Sequence, residues 1–147
     1  RDSRIGTYGT LALCFSLAME FIFLLQTSPI LLPKILLFAM TASRLTALPL
    51  IWKLSYIDDT SSYVSAFAMH AKNIDQFRVL AVFLGVALFG WLLFGHVSIQ
   101  IMCALLITTI VTGIYYSKRI QGVTGDCLGA TMKISELVVL FFGVLWA

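Results

Sequence analysis

Apolar stretches separated by short polar strings set the pattern of this chain. They run from about Gly9 to Gln26, Ile30 to Trp52, Phe77 to Phe94, Val97 to Tyr116 and Leu128 to Ala147. Each approaches the roughly 20 residues that a helix needs to cross a hydrocarbon core. A lone strand leaves its backbone groups unsatisfied in lipid, so all five are expected to be helical. The pattern predicts an all-α fold: a polytopic membrane bundle forming a single domain over residues 1–147.

The joints carry their own signals. Pro29 in Thr27-Ser28-Pro29 suits a tight turn, and Pro33 suits the first turn of the next helix. Pro49 falls near the end of the second stretch, where it predicts a kink. Gly95-His96 links the third stretch to the fourth, which places His96 at an interface with water. Gly85, Gly90 and Gly113 within helices, and Gly125 and Gly129 four apart, predict close helix contacts. The sizeable loop runs from Ser55 to Gln76. Val64, Phe67, Ala68, Ala71 and Ile74 follow helical spacing there, as in an amphipathic helix lying on the membrane surface. It is either a plain surface helix or a flap bearing His70, Lys72 and Asp75.

Composition strengthens the membrane reading. Hydrophobic residues make up 60% of the chain and charged ones 12%, against about a quarter charged in soluble domains. The net charge of +3 is small and dispersed, which argues against a nucleic-acid partner. Cys14, Cys103 and Cys127 lie far apart without metal-ligand spacing, and are expected to be small buried hydrophobes. If the helices alternate in direction, one side holds Arg1, Arg4, Lys53, Lys72, Arg78, Lys118 and Arg119. The positive-inside rule makes that side cytoplasmic. It implies a multi-pass protein of the cell (inner) membrane.

Two polar, Gly-rich strings fall on this side: Arg1-Asp2-Ser3-Arg4-Ile5-Gly6-Thr7-Tyr8-Gly9 and Gly122-Val123-Thr124-Gly125-Asp126-Cys127-Leu128-Gly129-Ala130. In the first, Arg1 and Arg4 can hold phosphate oxygens by bidentate hydrogen bonds, with Gly6 and Gly9 allowing close approach and Thr7 adding a hydroxyl. Asp2 can accept from an arginine or bind a metal. The alternative is a basic flank reaching lipid phosphates. In the second, Thr124 is a candidate helix cap with Asp126 in the first turn, favoured there by the helix dipole. The functional alternative makes Asp126 a Mg²⁺-binding carboxylate, because Mg²⁺ commonly shares carboxylates with substrate phosphates.

Glu20, Arg44, Lys133 and Glu136 lie inside the apolar stretches. Charges at that depth are expensive and usually face a bundle interior or a water-filled cavity. At 1.5 Å per residue, Glu20, Arg44 and Glu136 fall about 16, 13 and 15 Å deep. A single charged layer is expected, pairing Arg44 with Glu136 and Glu20 with Lys133. It serves either as structural pairing or as the floor of a substrate cavity.

The strings RDSRIGTYG and GVTGDCLGA, with Thr41-Ala42-Ser43-Arg44 and Glu136 between and after them, resemble the motifs of the cobalamin synthase (adenosylcobinamide-GDP ribazoletransferase) family over essentially the whole chain. The resemblance implies a membrane transferase that joins adenosylcobinamide-GDP to α-ribazole, or its phosphate, with release of GMP. It implies Mg²⁺ as cofactor, and Asp126 and Arg44 as catalytic-site residues. It also implies that Arg1, Arg4, Thr7, Gly6, Gly9, Thr124 and Gly125 bind substrate phosphates. The family's acidic HLDGLAD-like motif is absent from these residues, which implies the C-terminal part of a longer protein. Two rival classes remain: another Mg²⁺-dependent phosphoalcohol transferase, whose DGxxAR pattern is missing here, and a small transporter subunit. The sequence sets no oligomeric state.

Overall fold

The computed structural model describes residues 6–57 and 76–146. Arg1, Asp2, Arg4, and the segment expected to form a surface helix with His70, Lys72 and Asp75, lie outside the described residues. The described chain is helical: α1 (Thr7–Gln26), α2 (Leu32–Leu45), α3 (Ala47–Lys53), α4 (Gln76–Phe94), α5 (Val97–Arg119) and α6 (Gly125–Trp146). Five spans are long and apolar enough to cross a membrane, with α2 and α3 together forming the second, Leu32–Lys53. That span breaks at Thr46, whose N–H donates to Ser43 O at 3.2 Å. The break follows from Pro49: it has no N–H for the carbonyl of Leu45, and its ring crowds that carbonyl.

α6 is the hub. It packs on α2, α3, α5 and α1, while α4 packs on α5 and α2. The larger interior cluster joins Ile35, Phe38, Ala39 and Ala42 of α2 to Val139 and Leu140 of α6 and Ile101 and Leu105 of α5. Between helices in lipid, close packing and hydrogen bonds replace water-driven burial as the source of association. Glycine makes two of the close approaches. A Cβ at Gly143 would run into Ile35, and one at Gly90 into the ring of Phe38, which is fully buried. Gly113 sits against Leu50, but a Cβ at Gly85 or Gly129 would meet nothing within 4 Å. The expected contacts at Gly85 and Gly129 are therefore corrected: among the described residues, both glycines face open space.

Cys14 and Cys103 are also corrected, being exposed on the outer surface of the bundle rather than buried; Cys127 is half-buried. Small apolar side chains need no burial inside protein when the surrounding phase is hydrocarbon.

Two glycines of α4 should respond to alanine with opposite signs. Gly90→Ala should destabilise by about 1–3 kcal/mol through overpacking against Phe38. Gly85→Ala should be neutral or stabilise by up to about 1 kcal/mol, through helix propensity alone. Thermal unfolding in detergent distinguishes them.

Candidate functional site

The second Gly-rich string forms the turn from α5 into α6. α5 ends at Arg119 with Ile120 as its C-cap, and Gln121 takes a left-handed conformation (φ 60°) that reverses the chain. Val123 then pairs with the segment after α3 in a parallel β-bridge to Tyr56. Val123 N donates to Ser55 O at 2.9 Å, and Ile57 N donates to Val123 O at 3.0 Å. Gly122 makes this possible, because a Cβ there would overlap Ser55 O and the Ile57 side chain. Val123 itself is fully buried against Ala47, Leu50, Ile51, Tyr116 and Leu128.

Thr124 caps α6: its Oγ1 accepts from Cys127 N at 3.4 Å, and its carbonyl accepts from Leu128 N at 3.1 Å. Asp126 follows in the first turn, exposed at the positive end of the helix dipole. The first turn is further held from α5. Tyr116 Oη donates to Cys127 O at 2.9 Å and lies 3.0 Å from Thr131 Oγ1, which also donates to Cys127 O at 3.0 Å. Farther along, Ser135 Oγ donates to Thr46 Oγ1 at 3.2 Å. Cys127, Thr131 and Ser135 are four apart, so one face of α6 carries a polar seam to its neighbours. Sequence reasoning passed over Tyr116, Thr131, Ser135 and Thr46; the four-residue spacing of small polar groups in an apolar helix was the available signal.

The other face of α6 is open. Asp126, Gly129 and Ala130 are exposed, and Lys133 continues the stripe at helical spacing. Lys133 Nζ donates to Glu20 Oε2 at 2.6 Å and to Glu136 Oε2 at 3.1 Å. These side chains are 31%, 22% and 18% exposed. Phe23, one turn beyond Glu20, meets Phe141, beyond Lys133, with ring centroids 5.9 Å apart. α1 and α6 therefore run parallel, and Gly6, Thr7 and Gly9 stand at the same end of the bundle as Thr124, Gly125 and Asp126. Residues 6–15 of α1 are all exposed. Among the described residues, the two helices thus bound an open cleft, apolar and packed at one end and lined by the Asp126 stripe at the other. The Glu20–Lys133–Glu136 cluster forms its base.

Arg44 does not join that cluster. It is exposed, and its Nη1 donates to Met40 O at 2.7 Å. The Arg44–Glu136 pair expected from depth is corrected. Ala42, Ser43 and Thr46 form the packed face of α2, and Arg44 lies about 200° around the helix from Ala42. The depth itself agrees: Thr46 touches Ser135, next to Glu136.

Nor do the charged residues line the bundle's cavity. A space of about 300 Å³ opens between α2, α4 and α5, walled by Leu45, Phe83, Met102 and Leu106 and by no ionisable side chain except the thiol of Cys103. Its chemistry excludes it as a seat for a phosphate. Among the described residues, no group of three His, Cys, Asp or Glu could hold a metal ion on its own. Asp126 offers a single exposed carboxylate, a donor set that fits a Mg²⁺ shared with phosphate oxygens and water rather than a closed protein cage.

Gly122→Ala should break the bridge at Val123, because the obstruction is backbone as well as side chain. Expected are a stability loss of about 1–3 kcal/mol and weakened protection of the Val123 and Ile57 amides in hydrogen exchange. Tyr116→Phe should cost only about 0.5–1.5 kcal/mol, since Thr131 still satisfies Cys127 O.

A family model described as Cobalamin-5-phosphate synthase matches residues 1–144. Proteins named adenosylcobinamide-GDP ribazoletransferase are similar to the chain. The one from Shewanella woodyi is 34% identical over 93% of this chain and 54% of its own length. Those from Shewanella piezotolerans and Vibrio parahaemolyticus are 32% and 33% identical, over 99% and 95% of this chain and 58% and 52% of their own. The chain thus spans about half the length of the curated relatives it matches. No solved structure matches it. With five helices long and apolar enough to cross a membrane and the family model matched over residues 1–144, the chain belongs to the Cobalamin-5-phosphate synthase family.

Proposed function

We propose that this chain supplies one wall of the active site of an adenosylcobinamide-GDP ribazoletransferase. The supporting observation is that the α1 and α6 N-termini lie at the same end of the bundle, with Asp126 exposed in the first turn of α6. In the reaction, the hydroxyl of α-ribazole, or of its phosphate, attacks the phosphorus on the cobinamide side of the diphosphate. A new P–O bond forms, the P–O bond to GMP breaks, and the attacking hydroxyl gives up its proton. Such a transfer needs charge neutralisation and alignment more than covalent catalysis.

The residues divide this work by position. The first-turn N–H groups at Gly125 and Asp126 offer donors to a phosphate, as helix N-termini do. Arg1 and Arg4, with Gly6, Thr7 and Gly9, hold the diphosphate from the α1 side. Asp126, with Asp2, would hold Mg²⁺, which when bound neutralises phosphate charge, or Asp126 would orient the attacking hydroxyl. Arg44 remains a candidate contact from the exposed face of α2 rather than a partner of Glu136. The basic ends of α3 and α5, at Lys53, Lys118 and Arg119, lie at the same end of the bundle. That asymmetry favours a cytoplasmic active face in the inner membrane.

The test uses the full-length gene product in membranes, with adenosylcobinamide-GDP and α-ribazole as substrates. GMP release should require Mg²⁺, stop with EDTA, and fall at least about 100-fold in Asp126→Asn. Absence of release from folded wild-type protein would overturn the transferase reading. Full activity in Asp126→Asn would reduce Asp126 to a helix-start residue.

A further inference from the structure

We propose that Lys133 is a positioning residue: by clasping Glu20 it fixes the angle between α1 and α6, and so the separation of the two motif-bearing helix ends. Only the consequence for turnover rests on the transferase reading; the geometric claim stands apart from it.

Among the described residues, little holds α1. Phe23 is its one buried residue, and every described residue from 6 to 15 is exposed. Among the described residues, the Glu20–Lys133 hydrogen bond is the one polar link from α1 to another helix. Apolar contact lies beyond it, at Phe23 and Leu24. From Glu20 back to Thr7 is an arm of about 20 Å; Ser16 is half-buried along it, and the residues from Thr7 to Phe15 are exposed among the described residues. A tilt of about 10° there moves Thr7 by about 3 Å over that length. Remote changes that misplace a site by about 1 Å can cost about 100-fold in rate.

The cluster's charge explains why the clasp is directional. Lys133 lies between two carboxylates, with Glu136 on its own helix and Glu20 across the gap. The intrahelical partner is always present, so Glu136 gains little from the position of α1. Glu20 has no other partner among the described residues, and charge at that depth is costly to leave alone. Its pairing therefore draws α1 toward α6 at one level and no other. Removing the ammonium leaves two like charges facing each other, which pushes the helices apart where they were drawn together.

The experiment measures the angle directly. Spin labels at Tyr8→Cys and Ser117→Cys, both exposed, report the distance from the start of α1 to the end of α5 in the full-length protein. The background replaces Cys14, Cys103 and Cys127 and is first checked for wild-type GMP release. Lys133→Arg and the charge exchange Glu20→Lys with Lys133→Glu should keep one narrow distance distribution. Lys133→Met should broaden it or shift it by about 3 Å, the displacement of the arm estimated above. In parallel, kcat/KM should fall about 10- to 100-fold in Lys133→Met and recover to within about threefold in the exchange. A wild-type distance distribution in Lys133→Met overturns the clasp whatever the activity. A displaced helix with unchanged turnover overturns its link to the proposed site and leaves the transferase assay to stand or fall separately. If Lys133→Met does not accumulate in membranes, the exchange decides: recovery of the narrow distribution supports the clasp, and summed damage from the two single changes overturns it.

Discussion

Every polar group that enters the apolar phase must find a partner within the protein, and α6 is the helix that meets most of this demand. Its packed face gives Cys127, Thr131 and Ser135 to Tyr116 and Thr46, so hydrogen bonds fix α5 and the α2–α3 break against it. Its open face gives Lys133 to Glu20, which brings in α1. The helix thus carries two polar faces in an apolar sequence. The one satisfied by uncharged neighbours is rigid, and the other, satisfied by ions, borders the cleft.

This division explains how the Asp126 turn is held firm while remaining open. The turn is gripped from behind by three independent devices: the bridge from Val123 to the strand-like segment after α3, the Thr124 cap, and the Tyr116 hydroxyl on Cys127 O. None of the three uses the exposed side of α6. Among the described residues, Asp126, Gly129 and Ala130 are therefore exposed without loosening the backbone that presents them. A site whose ligand arrives from outside needs that arrangement, since any side chain covering the stripe would have to be displaced on binding.

Much of this was legible in the sequence because the signals were local or one-dimensional. Apolar length alone gives the five spans, Pro49 marks the break at Thr46, and Thr124 announces its cap. Depth along a helix likewise places Glu20 and Lys133 at one level. Depth says nothing about azimuth, however, and that is why Arg44 was assigned to Glu136 and instead turns to Met40 O. Its packed neighbours Ala42, Ser43 and Thr46 could have shown that it points the other way. The bridge between Tyr56 and Val123 left no such trace: two backbone hydrogen bonds between distant segments need no particular side chain, apart from the missing one at Gly122.

The two ends of α1 differ in how they are held. Where α1 meets α6 through Phe23 and Phe141, the contact is apolar and closed; where it bears Gly6, Thr7 and Gly9, it is exposed among the described residues. A helix held at one end by packing and clasped midway by an ion pair is stiff in itself but adjustable as a body. Helix stiffness keeps the residues of its motif in fixed relation to one another, while the clasp sets their relation to Asp126. Those two requirements differ. A phosphate-binding string must be internally rigid to recognise its ligand, and two such strings must sit at a defined separation to bring two substrates into line. The bundle meets the first with backbone hydrogen bonds and the second with one charged contact, placed at the base of the cleft where it affects the opening most.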